Sequence, residues 1–160
     1  MIPDDIRRTH QIPTAQAMEE LGARIGHGLV AGDVLVLTGP LGAGKTTLVR
    51  GIAEGLGVRG PVQSPTFVIA RTHPSLVGGA PLVHADAYRL GDAAELEDLD
   101  LDLAGSVTII EWGRGLVEQI ADEWWDIGIE RPVGEADDPE NLDLDAPRTV
   151  VVTKHTQGGL

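Results

Sequence analysis

Apolar residues recur along this chain with two different periods, and the switches between them outline its elements. Met18, Leu21, Ile25 and Leu29 stand three and four positions apart, the spacing that lays them on one stripe of a helix, and Thr14 precedes them as a side chain able to cap the first turn. Gly26, Gly28 and Gly32 predict that this helix breaks toward its end. Val34-Leu35-Val36-Leu37 is different: a continuous apolar run between Gly32-Asp33 and Gly39-Pro40, expected of a strand buried on both faces. From Thr46 to Leu56 the period is helical again, with Val49, Ile52, Ala53 and Leu56 on one face and Gly57 as the stop. The order is therefore strand, glycine-rich loop, helix.

Further strands are predicted at Phe67 to Arg71, Leu82 to Ala85, Val107 to Ile110, Ile127 to Ile129 and Thr149 to Thr153, with weaker helical stretches at Ala93 to Leu99 and Leu116 to Glu123. Alternating strands and helices predict an α/β sandwich with a largely parallel sheet. The last two strands are separated by Pro132, Gly134, Pro139 and Pro147 amid carboxylates, which predicts an antiparallel C-terminal hairpin with a long connection. We expect a single domain over residues 1–160: a core at about 12–154, an acidic insertion at about 133–147 and a short tail at 155–160.

Charge narrows the partners. Against 12 Lys and Arg stand 25 Asp and Glu, a formal net charge of −13, which argues against a free-standing binder of DNA or RNA. Two clusters of six carboxylates each, Asp92 to Asp102 and Glu135 to Asp145, carry most of the excess. They read first as solvated surface and second as a docking face for a basic partner. Asp98, Asp100 and Asp102 do not make a calcium loop, because Leu103 stands where that loop needs glycine. The chain has no cysteine, which excludes disulfides, thiolate metal sites and a cysteine nucleophile. An acidic start, Met1-Ile2-Pro3-Asp4-Asp5, and the lack of a membrane-length apolar window predict a cytoplasmic location.

Gly39-Pro40-Leu41-Gly42-Ala43-Gly44-Lys45-Thr46 satisfies the pattern of a phosphate-binding loop, between a predicted buried strand and a predicted helix. Glycines let the backbone wrap a phosphate with its N–H groups pointing inward. The helix dipole adds favourable potential, Lys45 supplies a cation for the β- and γ-phosphates, and the Thr46 hydroxyl can ligate Mg²⁺. This context predicts a three-layer sandwich like that of phosphate-loop nucleoside triphosphatases. A dinucleotide fingerprint fails, since Thr47 occupies its last glycine position. A guanine-reading segment is missing too, because the only asparagine, Asn141, is followed by Leu142. Small-molecule or nucleotide kinase and a nucleotide-gated binding module without turnover both stay open beside ATPase.

Mg²⁺ and an attacking water need a carboxylate near the γ-phosphate. Glu111 follows Val107-Thr108-Ile109-Ile110 and Asp86 follows Leu82-Val83-His84-Ala85, so both are placed at carboxyl ends of strands, where α/β proteins bind ligands. The plain alternative for each is a helix cap or a solvated strand end. Phe67, Tyr88 and Trp112 lie beside these segments and on spacing alone read as packing residues before base-stacking ones.

The phosphate loop from Gly39 to Thr47, then Ser64-Pro65-Thr66-Phe67, His84-Ala85-Asp86-Ala87-Tyr88-Arg89-Leu90 and Glu111-Trp112, in this order, resemble the bacterial TsaE family over about residues 12–131. The resemblance implies an ATPase required for threonylcarbamoyladenosine at tRNA position 37, a nucleotide switch on TsaD and TsaB, which carry the transfer chemistry. It would meet tRNA only through that complex. Carried onto this chain, it implies that residues 39–47 and Ser64, Thr66 and Trp112 surround ATP. Lys45 would hold phosphate, Thr46 and Glu111 would ligate Mg²⁺, and Asp86 would be a carboxylate needed for function. His84 would orient the site or act as a switch or donor, and Tyr88-Arg89 would bind the partner or position a loop. Pro40, Ala85 and Ala87 depart from the family's usual residues without removing a chemical group that the mechanism needs.

Overall fold

In the computed structural model the described residues are 2, 4–39, 44–58, 70–86, 102–112, 116–130 and 147–156. They form seven strands, β1 (Thr9–Ile12), β2 (Val34–Thr38), β3 (Ala70–His73), β4 (Leu82–Asp86), β5 (Val107–Glu111), β6 (Glu123–Glu130) and β7 (Arg148–Thr156), with two α-helices, α1 (Ala15–Gly28) and α2 (Lys45–Leu56). All seven strands join one sheet in the order β1-β7-β6-β2-β5-β4-β3.

The α/β class and the antiparallel β6–β7 hairpin are as expected, but the sheet is mixed, not largely parallel. The pairs β6–β2, β2–β5 and β5–β4 are parallel, whereas β1–β7, β7–β6 and β4–β3 are antiparallel. The reason lies in what each pattern reveals. Parallel strands covered on both faces leave continuous apolar runs, while short antiparallel edge strands such as β1, which alternates exposed and buried residues, leave little signal. The sequence pattern accordingly missed β1.

Strand β2 shows why a run of four apolar residues is needed. Leu35 and Leu37 belong to a core shared with Leu21 and Ile25 of α1, Leu48 and Ile52 of α2, and Ile109, Ile127 and Ile129 of the neighbouring strands. Val34 and Val36 point the other way, into a second cluster with Ile110, Val117 and Trp124. Among the described residues both α-helices cover the first face, and Leu103, Leu116, Ile120 and Ala121 pack against the second cluster. The helix expected from Leu116 to Glu123 is only a 3₁₀ turn, Val117–Gln119, because Glu123 already starts β6. Trp124 and Trp125 are both buried there, at consecutive positions, since the strand is covered on both sides.

Thr14 caps α1 as predicted, its hydroxyl accepting from the Ala17 amide at 3.1 Å. Helix α1 does not break at Gly26; it continues to Gly28. The glycines are explained by α2. A Cβ at Gly22 or Gly26 would collide with the carbonyl oxygens of Leu48 or Ile52, and one at Gly51 or Gly55 with those of Glu19 or Ala23. Four glycines thus let two helix backbones touch, and the packing offsets the roughly 1 kcal/mol that each glycine costs a helix. The stretch Ala93 to Leu99, residues 67–69 of the strand predicted at Phe67 to Arg71 and nearly all of the acidic insertion lie outside the described residues.

Candidate functional site

The parallel strands β2, β5 and β4 end side by side, with Leu37 opposite Glu111 and Glu111 opposite Asp86. At the same end, Gly39 follows β2 and helix α2 begins. Its N-cap is Gly44, left-handed at φ 108°, ψ 17°, a conformation that glycine adopts without strain and that puts no capping side chain over the first amides. The helix therefore turns its first N–H groups and the positive end of its dipole toward the end of the sheet that carries the two carboxylates. Lys45, Thr46 and Thr47 form its first turn.

Glu111 is the hub. One carboxylate oxygen, Oε2, lies 2.6 Å from Nε2 of the fully buried His84, and the other, Oε1, lies 3.7 Å from Nζ of Lys45. The lysine ammonium also stands 4.2 Å from the centre of the Trp112 ring, a cation–π arrangement. Trp112 takes φ 61°, the single non-glycine residue with positive φ among those described, and its amide donates to the Leu37 carbonyl at 3.1 Å. Backbone strain of this kind costs about 1–3 kcal/mol and tends to gather where a chain is bent for function. Here it turns the chain out of β5 so that an aromatic face meets the lysine. Glu111 is 6% exposed, so its charge is held by partners and not by bulk water.

The structure thus brings together Gly39, Gly44, Lys45, Glu111 and Trp112, places Asp86 one strand away in register with Glu111, and puts Thr46 and Thr47 in the adjoining helical turn. Pro40, Leu41, Gly42, Ala43, Ser64, Thr66, Phe67, Tyr88 and Arg89 lie outside the described residues. The sequence did not reveal the Lys45–Glu111 pair or the anchoring of Trp112 on β2. Both depend on β5 lying next to β2, for which the local pattern carries no signal.

Fold and site together define an α/β protein that gathers a lysine, two carboxylates and a helix N-terminus at the carboxyl ends of parallel strands, an arrangement suited to an anionic ligand. Comparison with known proteins gives the family. The family model described as threonylcarbamoyl adenosine biosynthesis protein TsaE matches residues 12–137. The chain is 59% identical over 124 residues to the tRNA threonylcarbamoyladenosine biosynthesis protein TsaE of Streptomyces coelicolor, covering 76% of this chain and 84% of that protein. It is 47% identical over 132 residues to the Mycobacterium tuberculosis H37Rv protein of the same name, covering 77% and 79%. Among solved structures, the crystal structure of Bacillus subtilis YdiB superposes with a TM-score of 0.67 at 28% identity, covering 94% of this chain and 86% of that one. The chain belongs to the TsaE family, and with it to the biosynthesis of threonylcarbamoyladenosine in tRNA.

Proposed function

We propose that this protein is a Mg²⁺-dependent ATPase that acts as a nucleotide switch on a cytoplasmic TsaD–TsaB complex during tRNA modification. The observation that carries the reading is the convergence of Lys45 and Glu111 at the start of α2, 3.7 Å apart, where the sequence places a phosphate loop. A lysine paired with a carboxylate and an indole face in the free protein has a ready exchange: it leaves both for the β- and γ-phosphates, and Glu111 Oε1 is released toward the ligand. The loop and the α2 dipole hold the phosphates, Trp112 borders the nucleotide, and Asp86 adds a second carboxylate in register with the first.

The donor set fits Mg²⁺. A hard cation takes oxygen ligands, and the Thr46 hydroxyl and a Glu111 oxygen sit at the same end of the sheet. Among the described residues no group of three or more acidic, histidine or cysteine side chains could hold a metal alone, so the remaining ligands would be phosphate oxygens and water. When bound, Mg²⁺ neutralises charge developing between the β- and γ-phosphates. The same chemistry is shared with a phosphate-loop sandwich fold. No arginine cluster follows the loop in sequence, and a supplied arginine is worth about 10³ to 10⁵ in rate in related chemistry, so turnover is slow alone and faster with partners.

The test is steady-state phosphate release from Mg-ATP by the full chain, alone and with purified TsaD and TsaB, with Lys45→Ala as control. Stimulation that vanishes in the variant supports the switch. Equal rates with and without partners overturn it.

A further inference from the structure

We propose that His84 is a positioning residue, which anchors one oxygen of Glu111 so that the other faces Lys45 and the ligand. This rests on the reading of Glu111 as the carboxylate that meets Mg²⁺. In the register of β4 and β5, His84 stands opposite Ile109 and Asp86 opposite Glu111, so the imidazole reaches Glu111 diagonally across two strands on one sheet face. Nε2 lies 2.6 Å from Oε2, and a carboxylate only accepts, so Nε2 carries the proton and donates it. The Lys45 ammonium is 3.7 Å from the opposite oxygen, Oε1. The two oxygens are thereby divided between an internal anchor and the outward face.

The cost of this arrangement argues that it is not mere packing. His84 is 0% exposed between the buried Val83 and Ala85, and its Nδ1 is buried with no hydrogen-bond partner. A polar atom left unpaired in this way loses its hydration without replacement, a cost that an apolar residue of similar size would avoid. What the histidine gains for that cost is the bond to Glu111. Without it, a strand-end glutamate turns about its side-chain torsions and offers either oxygen or neither. Partners that orient metal-binding side chains elsewhere are typically worth about 10- to 100-fold in metal affinity or activity.

The test is calorimetric titration of the full chain with ADP, once in excess Mg²⁺ and once in EDTA. The ratio of the two affinities reads how well the carboxylate meets the cation, independently of turnover. His84→Leu is expected to cut that ratio about tenfold or more, while ADP affinity in EDTA stays within about twofold. His84→Gln, whose amide nitrogen reaches the place of Nε2, is expected to restore most of the ratio. Thermal unfolding of each ligand-free variant reports its fold. A folded His84→Leu protein with the wild-type ratio overturns the proposal, as does a folded His84→Gln protein with the ratio lost. Where His84→Leu does not fold, the glutamine variant decides alone. A wild-type ratio near one overturns the proposal and leaves nucleotide binding standing. Lys45→Ala with wild-type ADP affinity removes the phosphate-loop reading instead, and an intact Mg²⁺ ratio without hydrolysis removes turnover but not the role of His84.

Discussion

The two ends of the central sheet are made of opposite materials. At the carboxyl ends of β2, β5 and β4 the protein buries charge: Lys45, Glu111 and His84 are linked in one chain of contacts. At the amino ends it leaves space. A cavity of about 540 Å³ opens there, lined by Gly26, Leu29, Ala31, Gly55, Ala80 and Gly105 among others, with the exposed Val30 on its wall and Leu76 and Val77 on the loop beside it. Its volume is within the range of small-molecule pockets, yet His27 is the one titratable residue in its lining. The charged end is recognised by its chemistry and by a desolvation cost that packing does not repay. Volume does not select between the two ends, whereas the buried contacts among Lys45, Glu111 and His84 set one of them apart.

Several substitutions bear on this contrast, and the largest effect is expected at Glu111. Glu111→Gln keeps the shape and removes the charge, and partner-stimulated phosphate release should fall by at least about 100-fold. Next, Lys45→Ala removes a charge-assisted contact to phosphate and should weaken ADP binding about 10- to 100-fold by calorimetry. Lys154→Ala, whose ammonium pairs with Glu123 and stands over Trp125, should leave ADP affinity unchanged. Gly51→Ala drives a methyl group into the Glu19 carbonyl, and denaturant unfolding should show a loss of about 1–3 kcal/mol with nucleotide affinity intact. Leu76→Ser, at the cavity end, should change stability by less than about 0.5 kcal/mol and ADP affinity not at all; a clear loss of affinity would erase the distinction between the ends.

The smallest expected effect is at Glu54, whose carboxyl is raised above the ordinary carboxylate range, first by a hydrogen bond with Glu19 and then by that residue's charge, with Arg50 opposing. The folded chain holds this proton to higher pH than the unfolded chain. Its contribution is present below the unfolded pKa and is lost as pH rises through the folded one. Glu54→Gln should therefore flatten the decline in melting temperature over that window, without touching ADP affinity at either end of the range.

Local pattern carried much of this molecule. The β2 run, the Thr14 cap, the Gly57 stop and the phosphate-loop sequence are all short-range features, and each was legible because one physical demand fixes several neighbouring residues. Gly57 does end α2 in the left-handed region, at φ 80°. Glu111 and Asp86 were legible as strand-end carboxylates for the same reason. What escaped depends on pairs distant in sequence. The mixed strand order, the diagonal from His84 to Glu111 and the ion pair with Lys45 follow only once β5 lies between β2 and β4. Gly28 does end α1, but Gly26 was misread as a helix breaker because its reason, the backbone of α2, is more than twenty residues away. Trp112 could be placed near the site, but its strained backbone could not be foreseen.

That glycine contact also sets how the two helices would answer an anion bound at the first turn of α2. Two helices whose backbones touch at these four glycines are expected to open together, so that their amides exchange hydrogen as one cooperative unit. An anion that binds at the first turn of α2 stabilises that unit by mass action. Slowed exchange then spreads into Gly22 to Gly26 of α1, a stretch that meets α2 through the same glycine contact.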